Sequence, residues 1–153
     1  MDIRVQEADF DLGREIATFG EGRTDIGAVV TFSGLVRDLP EAPVETMEIE
    51  HYPGMTERAL IKIAKEAMAR WDLIDCKVIH RYGRFTPGDQ IMMVATAAAH
   101  RAAAFAAADF LMDYLKSRAP FWKKEHGPET ASWVAAKAED EAALDRWTPE
   151  ADG

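Results

Sequence analysis

Cys76-Lys77-Val78-Ile79-His80-Arg81-Tyr82, Thr86-Pro87-Gly88-Asp89, Gln90-Ile91-Met92-Met93-Val94-Ala95-Thr96-Ala97 and the segment from His100 to Arg118 together decide the fold class. The first and third pieces are rich in apolar and β-branched residues. A Pro-Gly-Asp turn signal stands between them, so they read as two joined strands. From His100 onward the period changes. Phe105, Ala108, Met112 and Leu115 recur at spacings of three, four and three, which puts them on the inner face of a long helix that Pro120 ends. Strand, turn, strand and helix in direct succession do not make a βαβ rhythm, and the reading is an α+β domain.

The flanks extend this pattern. Leu60, Ile63, Ala64, Ala67, Met68 and Trp71 form a second helical stripe, with Pro53-Gly54 turning the chain before it and Thr56 placed to cap it. Met47 and Ile49 alternate with Glu48 and Glu50, as in a strand with one buried and one wet face. Val29, Val30, Thr31 and Phe32 mark another strand within Ile26 to Val36, and Ile3 to Val5 a short one. Leu12, Ile16 and Phe19 suit a short helix that Gly20 and Gly22 break, and the two prolines of Asp38 to Pro43 indicate an exposed loop. Ala131 to Trp147 reads as an amphipathic, helix-prone tail, residues 148–153 as a flexible end, and residues 1–153 as one domain.

Composition narrows the function classes. A chain of 153 residues buries roughly 68–70% of the surface it exposes when unfolded, so its core needs no disulfide or metal. Cys76 is the only cysteine, which rules out an internal disulfide and any Cys-x-x-Cys motif; its alternating neighbours make it a small buried side chain. The net charge of −9 argues against a general nucleic-acid binder and makes local cations informative. No apolar run approaches the roughly 20 residues of a membrane span, and Met1-Asp2-Ile3-Arg4 lacks a signal-peptide core; the expectation is a cytoplasmic protein.

Common signatures fail. Gly22 and Gly27 have P-loop spacing, but Ala28-Val29 stands where Lys and Ser/Thr must hold phosphate and magnesium. His51, His80, His100 and His126 show no metal-ligand spacing. Three features remain. His100 and Arg101 fall in the first turn of a helix, where cations oppose the dipole; a bound anion would offset that, and a solvated arginine beside a hydrogen-bonded histidine is the alternative. Lys116-Ser117-Arg118-Ala119-Pro120-Phe121-Trp122-Lys123-Lys124 packs four cations into nine residues of an acidic chain. The helix dipole accounts for Lys116 and Arg118 but not for Lys123 and Lys124, and lysines held against apolar surface lose protons readily. Phe32-Ser33-Gly34-Leu35-Val36-Arg37 closes a strand with glycine and arginine, which an ordinary strand end with an exposed arginine would also explain.

At this spacing the three features resemble a family. Val29 to Arg37, Glu50-His51-Tyr52-Pro53-Gly54-Met55-Thr56, Val78-Ile79-His80-Arg81-Tyr82-Gly83, Pro87-Gly88-Asp89, His100-Arg101 and Asp113 to Glu125 are similar, in order, to the molybdopterin synthase catalytic (large) subunit family, MoaE, over roughly Ile3 to Trp147. The resemblance implies a single-domain α/β hammerhead fold, with mixed and antiparallel strands and two long amphipathic helices. It also implies a homodimer flanked by two small ubiquitin-like subunits ending in Gly-Gly. The implied reaction installs the dithiolene sulfurs of molybdopterin on cyclic pyranopterin monophosphate (precursor Z). The sulfur comes from the small subunit's thiocarboxylate, with no cofactor and no metal. By the same resemblance Arg37, His100 and Arg101 hold the pterin and its phosphate, with Leu35 and Val36 alongside. Lys116 and Lys123 are the catalytic pair where the thiocarboxylate tail arrives, with Lys124 and Glu125 beside them. Two other functions fit parts of the pattern: a pterin or anion binder without transfer, and a structural partner whose basic stretch docks an acidic protein.

Overall fold

The computed structural model describes residues 1–38, 40, 41, 43, 45–127, 131–134 and 138–149. Elements run β1 (Asp2–Gln6), α1 (Leu12–Thr18), β2 (Ala28–Leu35), β3 (Thr46–His51), α2 (Met55–Arg70), β4 (Asp75–Arg81), β5 (Gly83–Phe85), β6 (Gln90–Ala98), α3 (Arg101–Ser117), β7 (Phe121–His126), β8 (Ala131–Val134) and α4 (Ala138–Asp145). The expected α+β class with two long helices is the fold observed. Leu39 and Ala42 of the expected loop, residues 135–137 of the tail and residues 150–153 of the expected flexible end lie outside the described residues.

Two four-stranded sheets organise the chain, in the orders β1-β4-β6-β2 and β5-β3-β7-β8. The β1–β4 pair is parallel and the other pairings are antiparallel. The first sheet is covered on both faces. Val78, Met92, Val94 and Ala98 pack with Leu60, Ala64, Phe110 and Leu111 of α2 and α3, while Ile79, Met93, Ala95 and Ala97 meet Phe10 and Phe19 around α1. Burial on both faces explains why β6 reads as a continuous apolar run rather than an alternation. Buried Thr96 donates its hydroxyl hydrogen to the Ala104 carbonyl at 2.7 Å and pins the first turns of α3 to β6.

Three expectations need correction. Phe105 does not line the inner face of α3; it is 62% exposed, and Ala104, Ala107, Ala108, Phe110, Leu111 and Leu115 are buried instead. The start of α3 approaches the sheet closely, so alanines fit the contact and the phenyl ring is turned out. Thr56 does not cap α2. Gly54 takes that position at φ +82°, a conformation that favours glycine, and its N–H donates to the Glu57 carboxylate at 2.6 Å. Phe121 to His126, assigned no element by the sequence reading, forms β7. The tail is not a helix throughout: Ala131–Val134 pairs along the open edge of β7, and among its described residues the helix is Ala138–Asp145. A free strand edge with unpaired backbone groups outweighs the helix propensity of the segment.

The chain folds back at Trp147. Its indole packs edge-on against Trp71 and Phe110, and its N–H donates to Asp113 on α3. No helix among the described residues is long and apolar enough to cross a membrane.

Candidate functional site

Alternation along β7 separates what the sequence runs together. Ile49 faces Lys123 across β3 and β7, His51 faces Phe121, and Met47 faces Glu125; Glu48 faces Lys124 and Glu50 faces Trp122. Successive side chains of a strand point to opposite faces, so Lys123 and Phe121 turn inward while Lys124 and Trp122 turn outward. Trp122 is 42% exposed and lies 5.1 Å from Tyr52 in a tilted ring pair. Arg118 is held by Glu141 of α4 at 3.0 Å. The basic run is therefore not one cluster. From it Lys116 and Lys123 converge.

They converge on a narrow cavity lined by Phe32, Gly34, Leu35, His80, Ile91, Met92, Met112, Leu115, Lys116 and Lys123. Lys116 reaches it from the last turn of α3, where the helix dipole favours a cation. Lys123 is mostly buried, and burial together with the charge of Lys116 lowers its ammonium to about 8, against the opposing pull of Asp140 and Glu125. A buried hydroxyl holds this strand in place. Thr56 donates to the Pro120 carbonyl at 2.9 Å and accepts from the Tyr52 N–H at 2.9 Å, so the start of α2 and the start of β7 share one clamp.

The volume, about 50 Å³, decides what fits. That is room for a few waters or the end of an extended chain, since about 10–15 Å³ of such space suffices for one water. Sites for drug-sized ligands need roughly 300–1,000 Å³, so this cavity takes only a small group or a chain end.

The remaining expected residues lie elsewhere. Val36 is a core residue whose N–H donates to Asp89 at 2.9 Å and whose carbonyl accepts from Gly88 at 2.8 Å, so it presents no free group. Arg37, next along the chain, is exposed at the cavity end of β2. Neither Lys124 nor Glu125 lines the cavity. His100 is the N-cap of α3 with no side-chain capping bond, and Arg101 begins the helix with no acidic residue in the first turn. Lys116 lies fifteen positions along the helix from Arg101, about 22 Å along the axis. Within one chain the expected anion end and the expected transfer end are at opposite ends of α3.

The sequence reading missed His80 as a cavity residue. It is 2% exposed, stacks on Phe121 with centroids 3.8 Å apart, and bonds the Arg81 carbonyl through Nδ1 at 2.8 Å. Its place two residues after core Val78 in an alternating strand is the signal that could have found it. Cys76 is fully buried, and its thiol is pushed up to about 12 by that burial, which leaves no thiolate at neutral pH.

Comparison with known proteins agrees with this architecture. A family model described as MoaE protein matches residues 5–118. The chain is 66% identical over 147 residues to the molybdopterin synthase catalytic subunit of Cereibacter sphaeroides, covering 96% of this chain and 100% of that one. It is 61% identical over 146 residues to the subunit of the same name from Ralstonia nicotianae, covering 95% and 83%. Among solved structures, the molybdopterin biosynthesis MoaE protein of Burkholderia ambifaria superposes with a TM-score of 0.82 at 55% identity, covering 95% and 97%. Molybdopterin synthase from Staphylococcus aureus superposes at 0.78 with 26% identity, covering 86% and 95%. With a family match over most of its length and relatives identical at well over half of their aligned positions, the chain belongs to the MoaE family, that of the molybdopterin synthase catalytic subunits.

Proposed function

We propose that this chain transfers sulfur from the thiocarboxylated C-terminal glycine of a small ubiquitin-like carrier to cyclic pyranopterin monophosphate, forming the dithiolene of molybdopterin. One observation carries the reading: Lys116 and Lys123 converge on a small cavity with room for a tail end, and burial there lowers the Lys123 ammonium to about 8. The two cations would receive an anionic thiocarboxylate in a confined, largely apolar space, where charge interactions are stronger than in bulk water. The thiocarboxylate sulfur attacks a substrate carbon, and the C–O bond there breaks as a lysine ammonium protonates the departing oxygen. Water then hydrolyses the resulting thioester, leaving sulfur on the substrate and the carrier as a carboxylate; a second carrier brings the second sulfur. At pH 7 about a tenth of Lys123 would be the free amine, so it can act in either direction of proton transfer. Cys76, inert and buried, supplies no sulfur, which suits a reaction that imports it.

The pterin and its phosphate would bind at the mouth, and a second copy of the chain would complete that site. β2 is an edge strand of its sheet, with Val29 and Phe32 exposed at 44% and 40%, and Phe32 shares a surface groove with exposed Phe105 of α3. An apolar edge of this kind calls for a cover. Pairing two such faces about a two-fold axis perpendicular to β2 runs the strands in opposite directions. The Ala28 end of one copy, next to its His100 and Arg101, then lies beside the Leu35 end of the other, next to Lys116. Each site would draw its transfer lysines from one copy and its anion-binding end from the other.

The test is reconstitution with thiocarboxylated carrier and precursor Z. Lys116→Ala and Lys123→Ala should each fold, bind carrier and lose about 10²–10⁴-fold in turnover. Near-normal turnover in both would overturn the reading. Binding of precursor Z without transfer in the unmodified protein would favour a binding module.

A further inference from the structure

His80 has a polar edge with no assigned work. A carbonyl can only accept, so the 2.8 Å contact with Arg81 fixes the hydrogen on Nδ1 and leaves a lone pair on Nε2. Stacking on Phe121 fixes the ring plane. Among the side chains lining the cavity, the lysines are donors, the sulfurs of Met92 and Met112 are weak acceptors and the rest are hydrocarbon; Nε2 is the one strong acceptor. Burial, reinforced by the charges of Lys123, Lys116 and His51, drives the imidazole down to about 3, so it stays neutral under working conditions.

A neutral lysine has the complementary need. Its amine carries two hydrogens and one lone pair, and an unoriented lone pair is a poor base. A carboxylate partner would orient the amine but would also hold it protonated. An imidazole that does not charge orients it without that penalty. We propose that His80 is a positioning residue for Lys123. The two line one cavity without bonding each other in the resting chain. When the reacting groups draw the amine in, Nε2 accepts one of its N–H groups and turns the amine lone pair toward them. This rests on the reading of Lys123 as a proton-transfer group.

The experiment compares His80→Asn and His80→Gln in the reconstituted complex. Asparagine keeps an N–H where Nδ1 stands and removes the distal acceptor; glutamine reaches the Nε2 position with a carbonyl oxygen. His80→Asn should keep its melting temperature within a few degrees and bind carrier and precursor Z normally. It should lose about tenfold in kcat at unchanged KM, the worth of one hydrogen bond. His80→Gln should recover part of the loss. In a Lys123→Ala background His80→Asn should cost nothing further, because the residue it acts through is gone. Wild-type kcat in a folded His80→Asn variant would overturn the proposal, as would additive losses in the double variant. Wild-type kcat in Lys123→Ala would instead bring down the site reading on which it rests.

Discussion

At the scale of single residues, Lys123 concentrates both a cost and a capability. Its ammonium titrates at about 8 in the folded chain against 10.5 ordinarily, so between those values the unfolded chain holds a proton that the folded one has released. Stability therefore rises with pH across that window, and below it the folded state bears the full penalty of a buried charge. Lys123→Met should raise stability at pH 7 by roughly 2–3 kcal/mol and flatten the rise between pH 8 and 10.5, while abolishing turnover. Denaturant melts at several pH values check this; unchanged stability would mean the ammonium is better solvated than its surroundings imply. Turnover of the unmodified enzyme should climb as pH approaches 8 if the free amine is the active form. The family resemblance named Lys116 and Lys123 as a pair, whereas the residues alone set Lys123 and Lys124 apart from the helix-end cations Lys116 and Arg118. The sequence hid His80, because a histidine among Val78, Ile79 and Arg81 looks like any strand residue until the opposing lysines are in place.

Among the elements, the strands that carry the site are held by small contacts that periodicity does not reveal. The Thr56 hydroxyl joins the Tyr52 N–H to the Pro120 carbonyl, and both groups lose a partner in Thr56→Val. That variant should be destabilised by about 1–3 kcal/mol and should reduce turnover by shifting β7, with carrier binding less affected. Thermal melts and single-turnover rates measured together decide it; full activity would show that β7 keeps its place unaided. Gly27 is the second such contact. A Cβ there would stand 2.0 Å from the Ala99 carbonyl oxygen, which is backbone and cannot swing away. Gly27→Ala should therefore prise β2 from the β6–α3 junction, weaken binding of precursor Z through displacement of His100, and lower the melting temperature. Unaltered substrate affinity would separate this junction from the anion site. The long helices and β4 and β6 were legible because hydrophobic period and turn chemistry agree there. β7 and β8 were not. Their pairing is decided by an edge that exists only once β3 has folded, and the cations of β7 masked a strand alternation.

For the whole molecule, the separation of Arg101 and Lys116 along one helix has a consequence for inheritance of damage. Should each catalytic centre draw on both copies, Lys116→Ala ruins the centre on its own chain and Arg101→Ala ruins the one on the neighbouring chain. Either variant alone gives dimers with no sound centre. Co-folded in equal amounts, the two chains meet at random, and about half of the dimers are mixed. In a mixed dimer both lesions fall on the same centre and the other is whole, so the pool should regain about a quarter of unmodified activity from two inactive parents. A chain working as an independent unit would regain none, and the assay would read zero at every mixing ratio. Complementation between dead alleles is thus what helix α3 would make possible by serving one reaction at each of its ends.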